Sequence, residues 1–213
     1  MKVAVIGANG DSGSHIVTSL VERGHQVLAV VRRPETITET ESIQVRKLQD
    51  IYDVDRVKKA IEGADAVVSA LGSGTLKMAA QPTTLYSQGT RTIRRAMRQL
   101  GIQRLIVLSS GGVEYDPNYK WIFLVCLRRY LINTYLDMAL MDGALEEVTD
   151  LEWTSVRLPY ICEGPSKPYI VKDRHHGPDV EIKLHFCDVG DMVAKEIDER
   201  KWIRKFAAPG YIP

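Results

Sequence analysis

The amino-terminal segment, residues 1–33, constrains the fold more than any other part of the chain. An apolar run from Val3 to Ile6 leads into the turn GANGDSG, which is followed by apolar residues at helical spacing. A second apolar run, Gln26 to Val31, ends just before a pair of arginines. This order predicts a β-strand, a glycine-rich turn, an α-helix and a second strand, joined as a βαβ unit.

The three glycines of this turn predict a site for a dinucleotide phosphate. Gly7 would let the chain leave the strand with a positive φ, Gly10 would let backbone approach a pyrophosphate, and Gly13 would let the helix pack closely on the strand. The helix, beginning near Ser12, would direct its free N–H groups toward that pyrophosphate. The alternative is a purely structural turn, which would not require the conformational entropy that three glycines cost.

Two arginines at the end of the second strand indicate which dinucleotide is bound. NAD enzymes usually place Asp or Glu about twenty residues past the glycine turn, where it accepts hydrogen bonds from the ribose. This chain has Arg32 followed by Arg33. Because a guanidinium can bind a 2′-phosphate through two hydrogen bonds and stack on adenine, we predict NADP(H) rather than NAD(H). For Arg33, an ordinary surface charge is the alternative interpretation.

Composition excludes several classes of protein. A chain of 213 residues can bury the core of one α/β domain, residues 1–213, without disulfides or metals. With 28 Lys and Arg against 27 Asp and Glu, binding to nucleic acid or a membrane is not expected. The three cysteines lack a CxxC pair, and no metal site is predicted. The first apolar run breaks too early for a signal peptide, so we expect a cytoplasmic protein, monomeric or weakly dimeric.

The rest of the chain alternates apolar runs with helical periodicity. Further strands are predicted at Ile43 to Asp50, Ala64 to Leu71, Arg104 to Ser110 and Trp153 to Leu158. Helices are predicted at Asp53 to Glu62, Leu85 to Leu100, Trp121 to Val148 and about Asp188 to Arg200, with a short β pattern near Val180 to Leu184. The prediction is therefore an α/β fold, a single Rossmann-like, doubly wound parallel sheet of six strands with helices on both faces.

Ligands of open parallel sheets bind at the carboxyl ends of the strands. Ser109 and Ser110 end the fifth strand and are therefore predicted at the catalytic rim. Asp50 and Ile51 follow the third strand and are predicted beside the adenine. The glycine-rich exit of the fourth strand, at Gly72, is predicted beside the nicotinamide ribose.

Several motifs together resemble a known family. GANGDSG, VVRRP, SALGSG, LIVLSS and WTSVRLPYI resemble, in order and spacing, the atypical short-chain dehydrogenase/reductases with an NAD(P)H-binding, NmrA-like domain. Within that group the chain is most similar to the flavin reductase/biliverdin-IXβ reductase branch. The resemblance implies NADP as the cofactor, bound by Gly7, Asn9, Gly10, Asp11, Ser12, Gly13, Arg32, Arg33, Asp50, Ile51, Ala70, Leu71, Gly72, Ser109, Pro159 and Ile161.

The catalytic chemistry is constrained by a missing motif. Short-chain dehydrogenases that reduce carbonyls use a YxxxK pair to protonate the alkoxide, and this sequence has no such pair. Hydride transfer to a flavin, a quinone or a conjugated tetrapyrrole needs less from the protein, because the incoming charge is delocalised over the acceptor. We therefore expect an NADPH-dependent reductase of a small planar acceptor, with Ser110 orienting the carboxamide or acceptor and Tyr160 stacking on the acceptor or donating a proton.

Two alternatives remain open. The first is an NmrA-like redox sensor that binds NADP(H) without catalysis and uses the apolar segment from Trp121 to Leu131 as a partner surface. The second is a specialised biosynthetic enzyme in which Tyr160, Tyr119 or Lys120 acts as the acid.

Overall fold

Apolar strands alternate with amphipathic helices along the chain. A computed structural model describes residues 1–115 and 126–213. The strands are β1 (Lys2–Ile6), β2 (Gln26–Val31), β3 (Ile43–Lys47), β4 (Ala66–Ser69), β5 (Arg104–Ser110), β6 (Glu152–Leu158), β7 (Tyr160–Cys162), β8 (Tyr169–Asp173), β9 (Lys183–His185) and β10 (Lys205–Tyr211). The α-helices are α1 (Asp11–Glu22), α2 (Val54–Ile61), α3 (Leu76–Ala79), α4 (Leu85–Leu100), α5 (Arg128–Tyr130), α6 (Ile132–Glu146) and α7 (Phe186–Glu199).

In the described part of the chain, one large sheet has the strand order β3-β2-β1-β4-β5-β6-β10-β8. All neighbouring strands in it are parallel except β10 and β8, which are antiparallel. The strand order reverses direction between β1 and β4, which is where such folds bind nucleotides. The predicted Rossmann-like, doubly wound sheet is therefore confirmed.

The predicted number of six strands is wrong. The tail adds β10 beside β6, and β8 pairs with the other side of β10 at the sheet edge. Sequence patterns understated β10 because Pro209 and Gly210 both disfavour a strand. The short pattern near Val180 to Leu184 corresponds to β9, which pairs with β7 outside the main sheet.

Helices cover both faces of the sheet, as predicted. Along β1, Val3 and Val5 pack into a core shared with α1 and α7. The intervening Ala4 and Ile6 pack into a second core, which includes residues of α2, α4 and α6. This alternation follows from the twofold side-chain period of a strand. Both cores hold the carboxyl ends of β1, β4 and β5 at one edge of the sheet.

Local sequence patterns predicted where the helices lie. α2 begins after Asp53, whose carboxylate accepts hydrogen bonds from the N–H groups of Asp55 and Arg56 at 3.0 and 3.1 Å, so the predicted acidic cap is confirmed. The helix predicted from Trp121 to Val148 is represented by α5 and α6. Its part at residues 121–125, like Tyr119 and Lys120, lies outside the described residues. None of the helices described is long and apolar enough to cross a membrane.

Candidate functional site

The glycine turn has the backbone geometry that its sequence predicts at two positions. Gly7 has φ +87°, and a Cβ there would stand 2.4 Å from the carbonyl oxygen of Ala70. A Cβ on Gly13 would stand 2.1 Å from the carbonyl oxygen of Gly7. Since both distances are far below van der Waals contact, β1, β4 and α1 can approach this closely only with glycine at both positions.

Gly10 differs from the other two glycines. Its φ of −79° is open to any residue, and a Cβ would meet only the Gly7 carbonyl oxygen, at 3.4 Å. Protein packing therefore does not require glycine here, and the missing Cβ leaves space on the outer side of the turn. α1 begins at the next residue, Asp11, and no side chain in the described chain caps its N–H groups. An uncapped helix start beside bare backbone fits a phosphate group.

The arginine pair lies beside this turn. Asn9 Nδ2 donates to Thr36 Oγ1 at 3.2 Å, and Thr36 Oγ1 donates to the carbonyl oxygen of Arg33 at 2.7 Å. These bonds hold the loop after β2 against the glycine turn. The side chains of Arg32 and Arg33 are exposed, and neither guanidinium has an ion-pair or hydrogen-bond partner among the described residues. The loop that carries these two free positive charges is therefore hydrogen-bonded to the glycine turn.

An apolar wall follows the same edge of the sheet. A Cβ on Gly89 of α4 would lie 3.1 Å from Leu71 and 3.3 Å from Ile51, so these two side chains approach the same point of that helix. Asp50 Oδ1 accepts a hydrogen bond from the N–H of Tyr52 at 2.8 Å, which shapes the turn after β3. A Cβ on Gly72 would meet nothing within 4 Å, so the exit of β4 is open.

The two serines that end β5 have different surroundings. Ser109 is buried, and its Oγ donates to Asp142 Oδ2 at 3.1 Å. Ser110 is half-buried, accepts a hydrogen bond from the N–H of Gly112 at 3.2 Å, and also bonds to the hydroxyl of Tyr135. Ser110 is therefore the serine that is partly exposed at the rim, whereas Ser109 is buried and donates to Asp142.

Tyr135 is the residue that the sequence reasoning missed. A Cβ on Gly112 would lie 2.8 Å from Tyr135 Cζ, so the phenol packs directly against the turn after β5. Burial raises the pKa of Tyr135, while its bond to Ser110 and the positive charge of Arg128 act to lower that pKa. With its pKa raised above the ordinary value of 10, the phenol is protonated at neutral pH. The available signal was a tyrosine on the helix after β5, but Ala139 stands where a YxxxK motif has lysine.

A buried ionic network lies beneath the serines. Asp142 accepts hydrogen bonds from Ser155 Oγ at 2.7 Å and from Arg157 Nε at 3.2 Å, in addition to the bond from Ser109. Burial raises the pKa of Asp142, and the charge of Arg157 opposes that rise. Arg157 also donates from Nη2 to Glu114 Oε1 at 2.8 Å. The network thus fixes both the end of β5 and the loop that follows Ser110.

The same loop is held from a second side. Arg174 donates from Nη2 to Glu114 Oε1 at 2.7 Å and from Nε to Glu114 Oε2 at 3.1 Å. Burial acts to raise the pKa of Glu114, but the hydrogen bonds from Arg157 and Arg174 outweigh it and lower that pKa to about 2. Glu114 is therefore ionised at any pH at which the protein would work.

The residues after β6 complete the rim. Ser110 pairs in register with Leu158, which places Pro159 and Tyr160 directly beyond it along the sheet edge. Pro159 is buried, Ile161 packs against the core under α1 and α7, and Tyr160 is 63% exposed. The exposed phenol ring is thus available to a ligand.

A cavity of about 730 Å³ lies elsewhere, between β8 and the second half of α7. Tyr169, Met192 and Trp202 are among the residues that line it, and none of the predicted cofactor residues does so. Because the chemical features described above meet at the carboxyl edge of β1 and β4, we place the functional site there. In the described ranges, no three His, Cys, Asp or Glu side chains are grouped as metal ligands.

The strand order, the open glycine turn and the uncapped start of α1 define a dinucleotide-binding protein of the Rossmann type. The chain belongs to the NAD(P)H-binding family, whose model matches residues 7–200. The predicted NAD(P)-binding character is thereby confirmed.

Two bacterial proteins are similar to this chain in sequence. YwnB, an uncharacterised protein of Bacillus subtilis, is 26% identical over 158 residues, which are 72% of this chain and 70% of YwnB. The 3β-hydroxysteroid dehydrogenase/Δ5→4-isomerase of Mycobacterium tuberculosis is 30% identical over 120 residues, which are 53% of this chain. The match spans only 32% of the steroid enzyme, about a third of its length.

Solved structures share the fold over the whole chain. The oxidoreductase YlbE of Lactococcus lactis has a TM-score of 0.79 at 20% identity, covering 99% of this chain and 91% of that one. A Streptococcus pneumoniae protein proposed to be an NADH-flavin reductase has a TM-score of 0.77 at 23% identity, covering 99% of both chains. At these identities the likeness establishes the fold alone.

Proposed function

We propose that the protein is an NADPH-dependent reductase of a small planar acceptor, a flavin, a quinone or a biliverdin-like tetrapyrrole. The single observation behind this proposal is the space outside Gly10, bordered by the uncapped start of α1, beside a loop that carries the exposed Arg32 and Arg33 and is hydrogen-bonded to the glycine turn. NADPH, when bound, supplies the hydride.

The choice of NADPH over NADH depends on the loop after β2. A carboxylate at this position would repel a 2′-phosphate, whereas Arg32 and Arg33 can both donate to it. Because the Asn9 and Thr36 hydrogen bonds already hold this loop against the glycine turn, little ordering is required when the cofactor binds.

At the acceptor end, Ser110 and Tyr160 remain the proposed catalytic residues, and Tyr135 joins them as a positioning residue. Ser110, half-buried at the end of β5, would orient the carboxamide or the acceptor. Tyr135 fixes that hydroxyl, and as a protonated phenol it can replace a proton that Ser110 donates. The exposed ring of Tyr160 provides a face on which a flat acceptor can stack.

The test is steady-state oxidation of NADPH in the presence of FMN or a quinone, followed at the absorbance band of reduced nicotinamide. Arg32→Ala should raise the KM for NADPH about 10- to 150-fold, the equivalent of about 1.5 to 3 kcal/mol for one charged hydrogen-bonding group. The KM for NADH should stay the same. Arg91→Ala, which removes an exposed arginine of α4, is the matched control.

Two results would count against this proposal. Equal increases in the KM for NADPH and the KM for NADH in Arg32→Ala would show that Arg32 does not bind a 2′-phosphate. Tight NADPH binding without turnover on any planar acceptor would instead favour the alternative, an NmrA-like sensor that binds NADP(H) without catalysis.

A further inference from the structure

Arg128, the first residue of α5, lies at the edge of the proposed acceptor site. Its Nε donates to the carbonyl oxygen of Gly112 at 3.2 Å. The N–H of the same glycine donates to Ser110 Oγ at 3.2 Å, and the ring of Tyr135 packs against the same turn. The guanidinium group and the Ser110 hydroxyl are therefore bonded to the C=O and the N–H of one residue.

The positive charge of Arg128 acts on this site. Burial raises the pKa of Tyr135, whereas its bond to Ser110 and the charge of Arg128 act to lower that pKa. Because a Coulomb interaction weakens with distance, this effect requires the guanidinium group to lie near the phenol. Arg128 thus adds a positive charge to an edge of the sheet where Ser110 supplies a hydroxyl and Tyr160 an exposed ring.

The described part of the chain supplies no carboxylate for this charge. Arg128 is half-buried, and it forms no ion pair with a described Asp or Glu. Glu114 lies two residues after Gly112, but its oxygens accept hydrogen bonds from Arg157 and Arg174. A partly buried charge is stabilised when an opposite charge is bound beside it. A ligand is the remaining source of that opposite charge.

The geometry of the guanidinium group defines the chemistry of this ligand. Because Nε already donates to Gly112, the two Nη groups of Arg128 remain, and neither donates to a residue in the described ranges. Two neighbouring N–H donors match two oxygens of a carboxylate, a phosphate or a sulfonate. A neutral polar group would accept a hydrogen bond but would leave the charge unbalanced.

A phosphate of the cofactor is a less suitable partner for Arg128. The pyrophosphate is assigned to the start of α1, which follows β1, whereas Arg128 contacts the turn after β5. In the sheet, β4 lies between β1 and β5. Two strand spacings, about 10 Å, therefore separate the two places. This separation favours an anionic group of the acceptor.

We propose that Arg128 selects acceptors that carry an anionic group, a phosphate or a carboxylate, beside their planar ring system. The inference rests on the proposed reductase function, which places the acceptor beside Ser110. The anionic group itself does not react and only holds the acceptor against the Gly112 turn. FMN and a tetrapyrrole with propionate side chains carry such a group, whereas riboflavin and an unsubstituted quinone do not.

Titration of flavin fluorescence in the presence of NADP⁺ tests this proposal with FMN and riboflavin, which differ by one phosphate. The unaltered protein should bind FMN at least about tenfold more tightly than riboflavin, as one charged hydrogen-bonded pair allows. Arg128→Gln should weaken FMN binding to the level of riboflavin and leave riboflavin binding unchanged. Arg128→Lys keeps the charge but not the paired donors, so its FMN affinity should fall between the two.

The matched control is Arg129→Gln. Arg129 is exposed, and its guanidinium group has no hydrogen-bond or ion-pair partner among the residues that the structure describes. This variant should leave both flavin dissociation constants unchanged. A purely structural role of Arg128 at the Gly112 turn would instead weaken FMN and riboflavin equally. A naphthoquinone and its sulfonate provide the same comparison for a second class of acceptor.

Three results would overturn the proposal. The first is equal affinity of the unaltered protein for FMN and riboflavin and for both naphthoquinones. The second is an equal loss of affinity for both flavins in Arg128→Gln, and the third is a loss confined to NADPH binding. Anion-selective binding without NADPH oxidation would support the role of Arg128 and refute the reductase function, whereas turnover with equal affinities would do the reverse.

Discussion

Replacing Gly10 and Gly13 by alanine, one at a time, separates the demands of the fold from the demands of the cofactor. At Gly13 the new methyl group would lie 2.1 Å from the Gly7 carbonyl oxygen, so α1 would have to move by about 1 Å to restore van der Waals contact. Overpacking of this kind costs about 1 to 3 kcal/mol of unfolding free energy. Gly13→Ala should therefore be destabilised whether or not a cofactor is present.

At Gly10 the methyl group would lie 3.4 Å from its nearest protein atom, and the backbone angles already suit alanine. Alanine is the poorer residue at a helix N-cap, but it also lowers the entropy of the unfolded chain, and these effects offset each other to within about 0.5 kcal/mol. The methyl group would instead occupy the space assigned to the pyrophosphate. NADPH affinity should fall at least about tenfold, or 1.4 kcal/mol.

Urea unfolding of both variants and NADPH titration by fluorescence or calorimetry measure the two quantities. The expected pattern is a stable Gly10→Ala that binds NADPH poorly and an unstable Gly13→Ala. The reasoning is refuted if Gly10→Ala binds NADPH as tightly as the unaltered protein, or if it unfolds as readily as Gly13→Ala.

Three further predictions follow from other residues of the site. Asp11→Asn should tighten NADPH binding several-fold in titrations at low salt, because an exposed carboxylate in the first turn of α1 repels the pyrophosphate; weaker binding would mean that Asp11 helps to hold the cofactor. Tyr135→Phe should lower kcat about two- to tenfold by removing one hydrogen bond to Ser110, with the NADPH dissociation constant unchanged. A higher NADPH dissociation constant with an unchanged kcat would contradict the proposed role of Tyr135 as a positioning residue. Glu114→Gln should lower the unfolding free energy near neutral pH. The pKa of Glu114 is about 2 in the folded protein, whereas its ordinary value is 4.5. The stability difference between the unaltered protein and Glu114→Gln should therefore shrink as the pH falls from 4.5 toward 2. A stability difference that is independent of pH would exclude the ion pairs of Glu114 as its source.

The features that sequence predicted well are those set by local backbone geometry. The positive φ of Gly7 and the close approach at Gly13 follow from a strand that must turn directly into a helix lying on it. The Asp53 cap and the bounds of α4 are equally local, because side-chain spacing and capping within a few residues determine them.

The features that sequence could not predict depend on contacts between distant segments. β10 becomes a strand because it pairs with β6 on one side and β8 on the other, despite Pro209. Tyr135 reaches Ser110 only because α6 packs against the turn at Gly112, and a motif search that demands lysine four residues later passes it over. In the same way, the Asp142 and Arg157 network joins residues that no local pattern connects.

Calorimetric titration with NADPH and with NADH tests the central claim most directly. The structure predicts heat of association with both reduced cofactors and a clearly lower dissociation constant for NADPH, because Arg32 and Arg33 are exposed on a loop that is hydrogen-bonded to the glycine turn. No heat with either cofactor, or a lower dissociation constant for NADH, would contradict the assignment of this edge of the sheet as an NADPH site.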